Sequence, residues 1–214
     1  MYREKYDMWL ESPYVEDELK EELKKIQNDN SEIEDRFFRE LEFGTGGMRG
    51  KTGAGSNRMN LVTVAKATQG IADYLNENYS GELSVAIAYD SRNMSKEFAS
   101  KAACVFAANN IFVYLFESLR PTPELSFTVR HFKCKAGVVI TASHNPPEYN
   151  GYKVYDQFGG QVVKSADAII EKINKVMLRD IKSSQIEENH KIKVIGEDID
   201  TIYINEVKKL SFNS

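Results

Sequence analysis

The chain has 214 residues, which at about 150 per domain is one domain with a remainder or two very small ones. Lys and Arg number 28 against 32 Asp and Glu, a net charge of −4 that argues against the basic field of a general nucleic-acid binder. A hydrophobic share of 42% with 28% charged residues supports a buried core and excludes a disordered or fibrous chain.

The N-terminal stretch carries Arg3, Glu4, Lys5, Asp7 and Glu11 and has no apolar h-region of a signal peptide. From Val15 to about Gln27, Leu19, Leu23 and Ile26 recur at helical spacing, with Glu and Lys on the other faces. With Trp9 and Leu10 upstream, this predicts a helical extension packed on a larger body. Asn28 to Ser31 is the break after it. Phe43 to Asn60 is so rich in glycine that it reads as a loop.

Leu61 to Tyr79 follows as a helix, with Val64, Ala67, Ile71 and Leu75 on one side. Val85–Tyr89, Ile111–Phe116 and Ala136–Thr141 are apolar strands, separated by an alanine-rich helix over Lys96–Ala108 and a short helix opened by Thr122 as N-cap and Pro123. Gly151–Tyr155 returns as a further strand, Ser165–Met177 is another helix, Ile192–Ile195 a short strand and Asp198–Leu210 an amphipathic helix. Strands alternating with helices predict an α/β fold: a three-layer α/β/α sandwich on a mainly parallel mixed sheet, with the helical extension added. Ligands of such sheets bind beyond the carboxyl ends of the strands.

No run of about eighteen apolar residues is present, so no membrane-spanning helix is expected. Cys104 and Cys134 lie in apolar contexts without paired spacing and read as small buried hydrophobes of a reduced, cytoplasmic protein. No Cys/His cluster has metal-ligand spacing, and no Asp-x-Asp-x-Asp run occurs.

Two segments carry chemistry. In Thr141-Ala142-Ser143-His144-Asn145-Pro146-Pro147, a buried strand delivers Ser143 to its carboxyl end, where a hydroxyl can act as a nucleophile or phosphoryl carrier. His144 is adjacent, and Lys153 lies ten positions on, a cation for a phosphate. The same residues read equally as a proline-stiffened turn with a capping serine and a solvated lysine. In Gly44-Thr45-Gly46-Gly47-Met48-Arg49-Gly50-Lys51-Thr52-Gly53, glycines let the backbone approach an anion and Arg49 offers a forked set of donors. Gly50-Lys51-Thr52 matches the end of a Walker A loop, but Thr45 stands where its first glycine belongs and the preceding residues are too charged for a central strand. A flexible loop is the other reading of this stretch.

A serine hydrolase is disfavoured. The Gly-x-Ser-x-Gly elbow is absent around Ser143, and only His131 and His190 remain as bases besides His144. Asp90-Ser91-Arg92 after the first strand reads more readily as an internal ion pair than as a ligand contact.

Thr141-Ala142-Ser143-His144-Asn145-Pro146 with Asn150-Gly151-Tyr152-Lys153 resembles the phosphoserine loop of the α-D-phosphohexomutases, and Phe43–Gly50 resembles that family's N-terminal substrate loop. Ala88–Arg92 and Arg120-Pro121-Thr122-Pro123 resemble further segments in order, while Trp9-Leu10 and Gly55–Asn60 are most like the phosphoglucomutase/phosphopentomutase branch. The resemblance implies a Ser143 phosphoserine that passes its phosphoryl group to a sugar monophosphate and recovers the other from the bisphosphate, interconverting glucose 1-phosphate and glucose 6-phosphate. It implies catalytic roles for Ser143, His144, Lys153 and Arg49, and substrate contacts from Thr45, Gly46, Arg49, Asn145 and Lys153. It also implies Mg2+ touching a phosphoryl oxygen on Ser143, with glucose 1,6-bisphosphate as activator.

The family has four domains, and the chain corresponds to the first. The expected division is a helical extension over 1–35, the phosphoserine domain over 36–190, and a linker and helix leading into a second domain over 191–214. The metal loop, the sugar-recognition loop and the last phosphate-binding loop lie outside it, so the chain is expected to pack against later domains and to be catalytically poor alone. No nucleic acid or membrane partner is expected. Phosphopentomutase, phosphomannomutase, glucose-1,6-bisphosphate synthase and a non-catalytic phosphosugar-binding module remain as alternatives.

Overall fold

A computed structural model describes residues 1–186 and 189–211; Glu187, Glu188 and the last three residues of the segment expected to lead onward lie outside it. Three short helices open the chain: α1 (Tyr2–Glu11), α2 (Asp17–Lys25) and α3 (Asn30–Phe37). They close over Tyr6, Trp9, Leu23, Ile33 and Phe37, with Tyr6 and Trp9 edge-on to the Phe37 ring at 5.8 and 5.6 Å. The break expected at 28–31 is the start of α3, because the Asp29 side chain accepts from the Glu32 amide at 3.0 Å and caps it.

The glycine-rich stretch is not a loop throughout. It holds β1 (Phe43–Gly44) and β2 (Gly47–Lys51), an antiparallel pair at the edge of the sheet. At Gly47 a positive φ and close packing both require glycine: φ is +148° and a Cβ would lie 2.1 Å from the Tyr152 carbonyl oxygen. The turn that follows is pinned by buried Asn60, whose side chain donates to the Gly53 and Gly55 carbonyls at 2.9 Å. Asn60 also caps α4 (Leu61–Asn78) in a reciprocal box with Thr63.

The alternating part comprises β3 (Ser84–Tyr89), α5 (Ser95–Ala108), β4 (Phe112–Phe116), α6 (Thr122–His131), β5 (Ala136–Ile140), β6 (Tyr149–Asp156), α7 (Ala166–Lys175), β7 (Ile192–Ile195) and α8 (Glu197–Lys208). Thr122 is the first helical residue rather than the cap: the Pro121 carbonyl accepts from the Glu124 and Leu125 amides, which closes the first turn one residue earlier. Pro123 is tolerated there because an amide in the first turn has no intrahelical partner.

The sheet order is β1-β2-β6-β5-β3-β4-β7. β5, β3, β4 and β7 run parallel, and β1, β2 and β6 join antiparallel. One face packs Val64, Ile71, Phe98, Phe106 and Ile173 of α4, α5 and α7 onto Ile87, Val138, Ile140, Tyr152 and Val154. The other face packs Leu125, Val129 and Ile199 of α6 and α8 onto Ala86, Ala88 and Val139. The fold is therefore the expected α/β sandwich, antiparallel at one edge.

Residues 191–214 do not begin as a linker. β7 extends the sheet beside β4, and Asp200 of α8 takes both prongs of the Arg120 guanidinium at 2.6 Å. Cys134 is fully buried, and burial pushes its thiol up to about 11, as an inert core residue requires.

Candidate active site

β5 delivers the chain to an eight-residue excursion, 141–148, before β6 returns beside it. Thr141 still pairs with Gly151 through its amide at 2.9 Å, and its hydroxyl accepts from the Ser143 amide at 2.9 Å. Ser143 takes a left-handed backbone, φ +55°, uncommon for a residue with a Cβ and worth about 1–3 kcal/mol of local strain. Its hydroxyl is exposed, 3.4 Å from His144 Nδ1, a longer approach than an ideal hydrogen bond.

The antiparallel edge supplies the cations. Arg49 on β2 sits opposite Gly151, where a Cβ would come 2.5 Å from the Thr141 carbonyl oxygen; glycine lets the strands close up beneath the loop. The Arg49 side chain is exposed and donates to the Asn145 side chain at 2.9 Å. Lys153 sits opposite Gly47, one diagonal from Arg49 on the same sheet face, a separation of about 7–8 Å between backbones. Between Gly151 and Lys153, Tyr152 points to the other face and shares a 3.0 Å hydrogen bond with Thr68, and burial pushes its hydroxyl far up.

The fold thus brings Ser143, His144, Asn145 and Arg49 together, with Lys153 along the strand. Thr45 and Gly46 lie apart, at the tip of the β1–β2 turn beyond Lys153, where the Gly46 carbonyl accepts from Val154 at 3.0 Å and from Gln161 at 3.3 Å. His131 ends α6 and His190 precedes β7, both at the amino ends of the parallel strands and so across the sheet from Ser143. No Ser–His relay can include them.

Sequence reasoning missed what Arg92 does. Rather than pairing only with Asp90, it donates to the carbonyls of Ser143, Asn145, Pro146 and Tyr149 at 2.6 to 3.0 Å. Asn150 is fully buried and adds a second tie, from its side chain to the Asn93 carbonyl at 2.9 Å and Ser95 Oγ at 3.0 Å. An open cleft of about 370 Å³ runs over Asp90, Arg92, Ser143 and Asn145.

Comparison with known proteins decides the family. The alpha/beta/alpha domain I of phosphoglucomutase/phosphomannomutase matches residues 40–179. The chain belongs to this family. It is 38% identical over 208 residues to a phosphoglucomutase of Staphylococcus saprophyticus, covering 95% of the chain and 37% of that protein. It is 37% identical over 210 residues to a phosphoglucomutase of Staphylococcus aureus USA300, again covering 95% and 37%. The domain also superposes on a Thermus thermophilus protein assigned as a phosphomannomutase, with TM-score 0.63 and 29% identity over 80% of the chain and 36% of the other. The chain thus spans little more than a third of these phosphohexomutases.

Proposed function

We propose that Ser143 is the phosphoryl carrier of a phosphoglucomutase-type reaction interconverting glucose 1-phosphate and glucose 6-phosphate. The observation that carries this is the exposed, left-handed Ser143 at the carboxyl end of a buried strand, with Arg49 held at the same loop by Asn145. In the transfer, a sugar hydroxyl oxygen forms a bond to phosphorus as the Ser143 Oγ–P bond breaks. His144, whose Nδ1 faces that oxygen, is the group placed to give Ser143 Oγ a proton, and the proton released by the sugar hydroxyl restores the one His144 gives up, so the step is neutral in protons. The bisphosphate then turns over in the cleft and gives its other phosphoryl group back to Ser143.

Such a transfer needs positioning and neutralised charge more than covalent chemistry. Arg49 offers its forked donors to the phosphoryl oxygens, and Lys153 a second positive charge along the same face. Glucose 1,6-bisphosphate is the activator that loads Ser143. Thr45 and Gly46, at the hairpin tip, reach the sugar phosphate only from its far side.

The donor set here does not by itself fit Mg2+. Among the described residues no three His, Cys, Asp or Glu side chains converge, and Asp90, which lines the cleft with Ser143, is engaged by Arg92 and Ser95. Ser143 would contribute one phosphoryl oxygen, with the remaining ligands supplied from elsewhere, so the described residues alone support turnover poorly. On the same reading, the phosphoserine domain begins at residue 36 behind the 1–35 extension and runs past 190 to take in β7, α8 leads toward a second domain, and the protein works in the cytoplasm. Among the described residues no helix is long and apolar enough to cross a membrane.

The test is peptide mass spectrometry after incubation with glucose 1,6-bisphosphate and Mg2+. One added phosphate on the 141–153 peptide, absent in Ser143→Ala, is the expected result. Phosphate elsewhere, or label surviving in Ser143→Ala, overturns the assignment.

A further inference from the structure

We propose that Arg92 is a positioning residue for phosphoryl transfer: its guanidinium holds the Ser143 loop in the one backbone shape that presents the hydroxyl. The proposal rests on Ser143 being the carrier. Segment 141–148 lies between two strands and has few ladder partners of its own, so its carbonyls need donors from elsewhere. Arg92 supplies them. Nη2 reaches the Ser143 carbonyl at 2.7 Å and the Asn145 carbonyl at 2.6 Å, while Nη1 reaches those of Pro146 and Tyr149 at 3.0 Å each. The first two bracket His144, so the plane of the guanidinium sets the path of the chain on the C-terminal side of Ser143.

That placement answers a specific difficulty. A serine at φ +55° persists only where its surroundings over-determine the backbone. From the N-terminal side the Thr141 hydroxyl holds the Ser143 amide, and from the C-terminal side Arg92 holds its carbonyl. Arg92 is itself fixed: Asp90 accepts from its amide at 3.0 Å, and the other Asp90 oxygen lies 3.6 Å from Nε. Asp90 also takes the Ser95 hydroxyl at 2.8 Å, and Ser95 takes Asn150 at the root of β6, so one chain of polar contacts runs from the β3 turn to both ends of the loop.

With both terminal nitrogens engaged by carbonyls, Arg92 is not arranged as a phosphate ligand. Its positive charge nonetheless lies directly behind the residue that would carry the phosphate. Lysine keeps that charge but has no planar fork and cannot span four carbonyls. Arg92→Lys therefore separates geometry from charge.

The experiment compares the wild-type chain with Arg92→Lys and Asp90→Asn by two readouts. The first is hydrogen exchange of the loop peptide without ligand. The second is the rate of Ser143 phosphorylation from glucose 1,6-bisphosphate and Mg2+, over a range of donor concentrations. Faster loop exchange with unchanged protection of β3 and β5, and a maximal rate lower by on the order of 10²-fold at a nearly constant half-saturating concentration, is expected for Arg92→Lys. Asp90→Asn, which leaves the guanidinium but loosens its hold, gives a smaller shift in the same direction. Wild-type loop exchange in Arg92→Lys, or a loss confined to the half-saturating concentration, overturns the proposal. Wild-type protein that takes up no phosphate overturns the carrier reading alone, and the exchange comparison still decides whether Arg92 holds the loop.

Discussion

Arg49 and Asn145 are 96 residues apart in the chain, yet the Arg49 guanidinium donates to the Asn145 side chain at 2.9 Å. The contact ties the antiparallel edge of the sheet to the loop that follows its parallel part. Since Arg49 is exposed, its removal leaves stability within about 0.5 kcal/mol of wild type. A charged donor to a phosphoryl oxygen is worth about 1.5–3 kcal/mol, so Arg49→Ala slows Ser143 phosphorylation by roughly 10- to 100-fold. Urea unfolding and phosphopeptide kinetics on one preparation check both halves; an unaltered rate would remove Arg49 from the site.

Gly47 predicts the opposite pattern. Alanine there combines a positive φ with a Cβ 2.1 Å from the Tyr152 carbonyl oxygen, and backbone cannot step aside as a flexible side chain would. We expect Gly47→Ala to destabilise the chain by more than about 2 kcal/mol, by strain and overpacking together. Substitution at Gly81, also at positive φ but with nothing near its Cβ, is the control and costs less in the same denaturation series.

The carboxyl pair between α6 and α8 gives stability a pH dependence. Glu124 is 4% exposed, and burial together with the neighbouring Asp200 carboxylate pushes its pKa up to about 7. The hydrogen bond from Arg120 holds Asp200 below the usual carboxylate range. A raised carboxyl binds its proton more tightly in the folded chain, so its contribution is whole below the ordinary value of 4.5 and is lost as pH rises through about 7. Asp200 acts in the other direction: its contribution is present above the ordinary 3.8 and lost as pH falls. Glu124→Gln mimics the protonated form and should gain on wild type as pH rises from 4.5 to about 7, the gain levelling off above that. Urea midpoints of the two proteins that track each other across that range would contradict this.

Trp9 is the single tryptophan and is 8% exposed, packed edge-on to Phe37 at 5.6 Å. It reports directly on docking of the N-terminal helices. Phe37→Ala should cost about 3–5 kcal/mol and shift Trp9 emission to the red. Emission unchanged in the variant would mean that the aromatic cluster does not hold the extension in place.

The parallel part of the fold was legible because its signals are local. Val85–Tyr89 and Ala136–Ile140 are short apolar runs set between helical periodicities, and such runs have few other structures available. The helix α3 was not read, although Asp29-x-x-Glu32 before Ile33 and Phe37 is a capping pattern on an apolar stripe. Nor was the hairpin of β1 and β2. Glycine signals freedom when read along the chain, but at Gly47 it also signals a neighbouring strand pressed against the backbone, and the Tyr152 carbonyl it meets lies about a hundred residues away.

The sequence by itself determined the chemistry available to this protein: a serine after an apolar strand, a histidine beside it, and an arginine and a lysine in the segments that resemble the phosphohexomutase loops. It also determined the layered α/β fold, because apolar periodicity is a property of neighbouring residues. Only the tertiary structure decided which of these groups meet. Register between β2 and β6 puts Arg49 at the serine loop and leaves Thr45 and Gly46 at the far hairpin tip. Arg92 changed most, from one half of an ion pair to the donor for four carbonyls around Ser143. Unpaired loop carbonyls exist only once the strands on either side have formed, so nothing in the order of residues could announce the side chain that satisfies them.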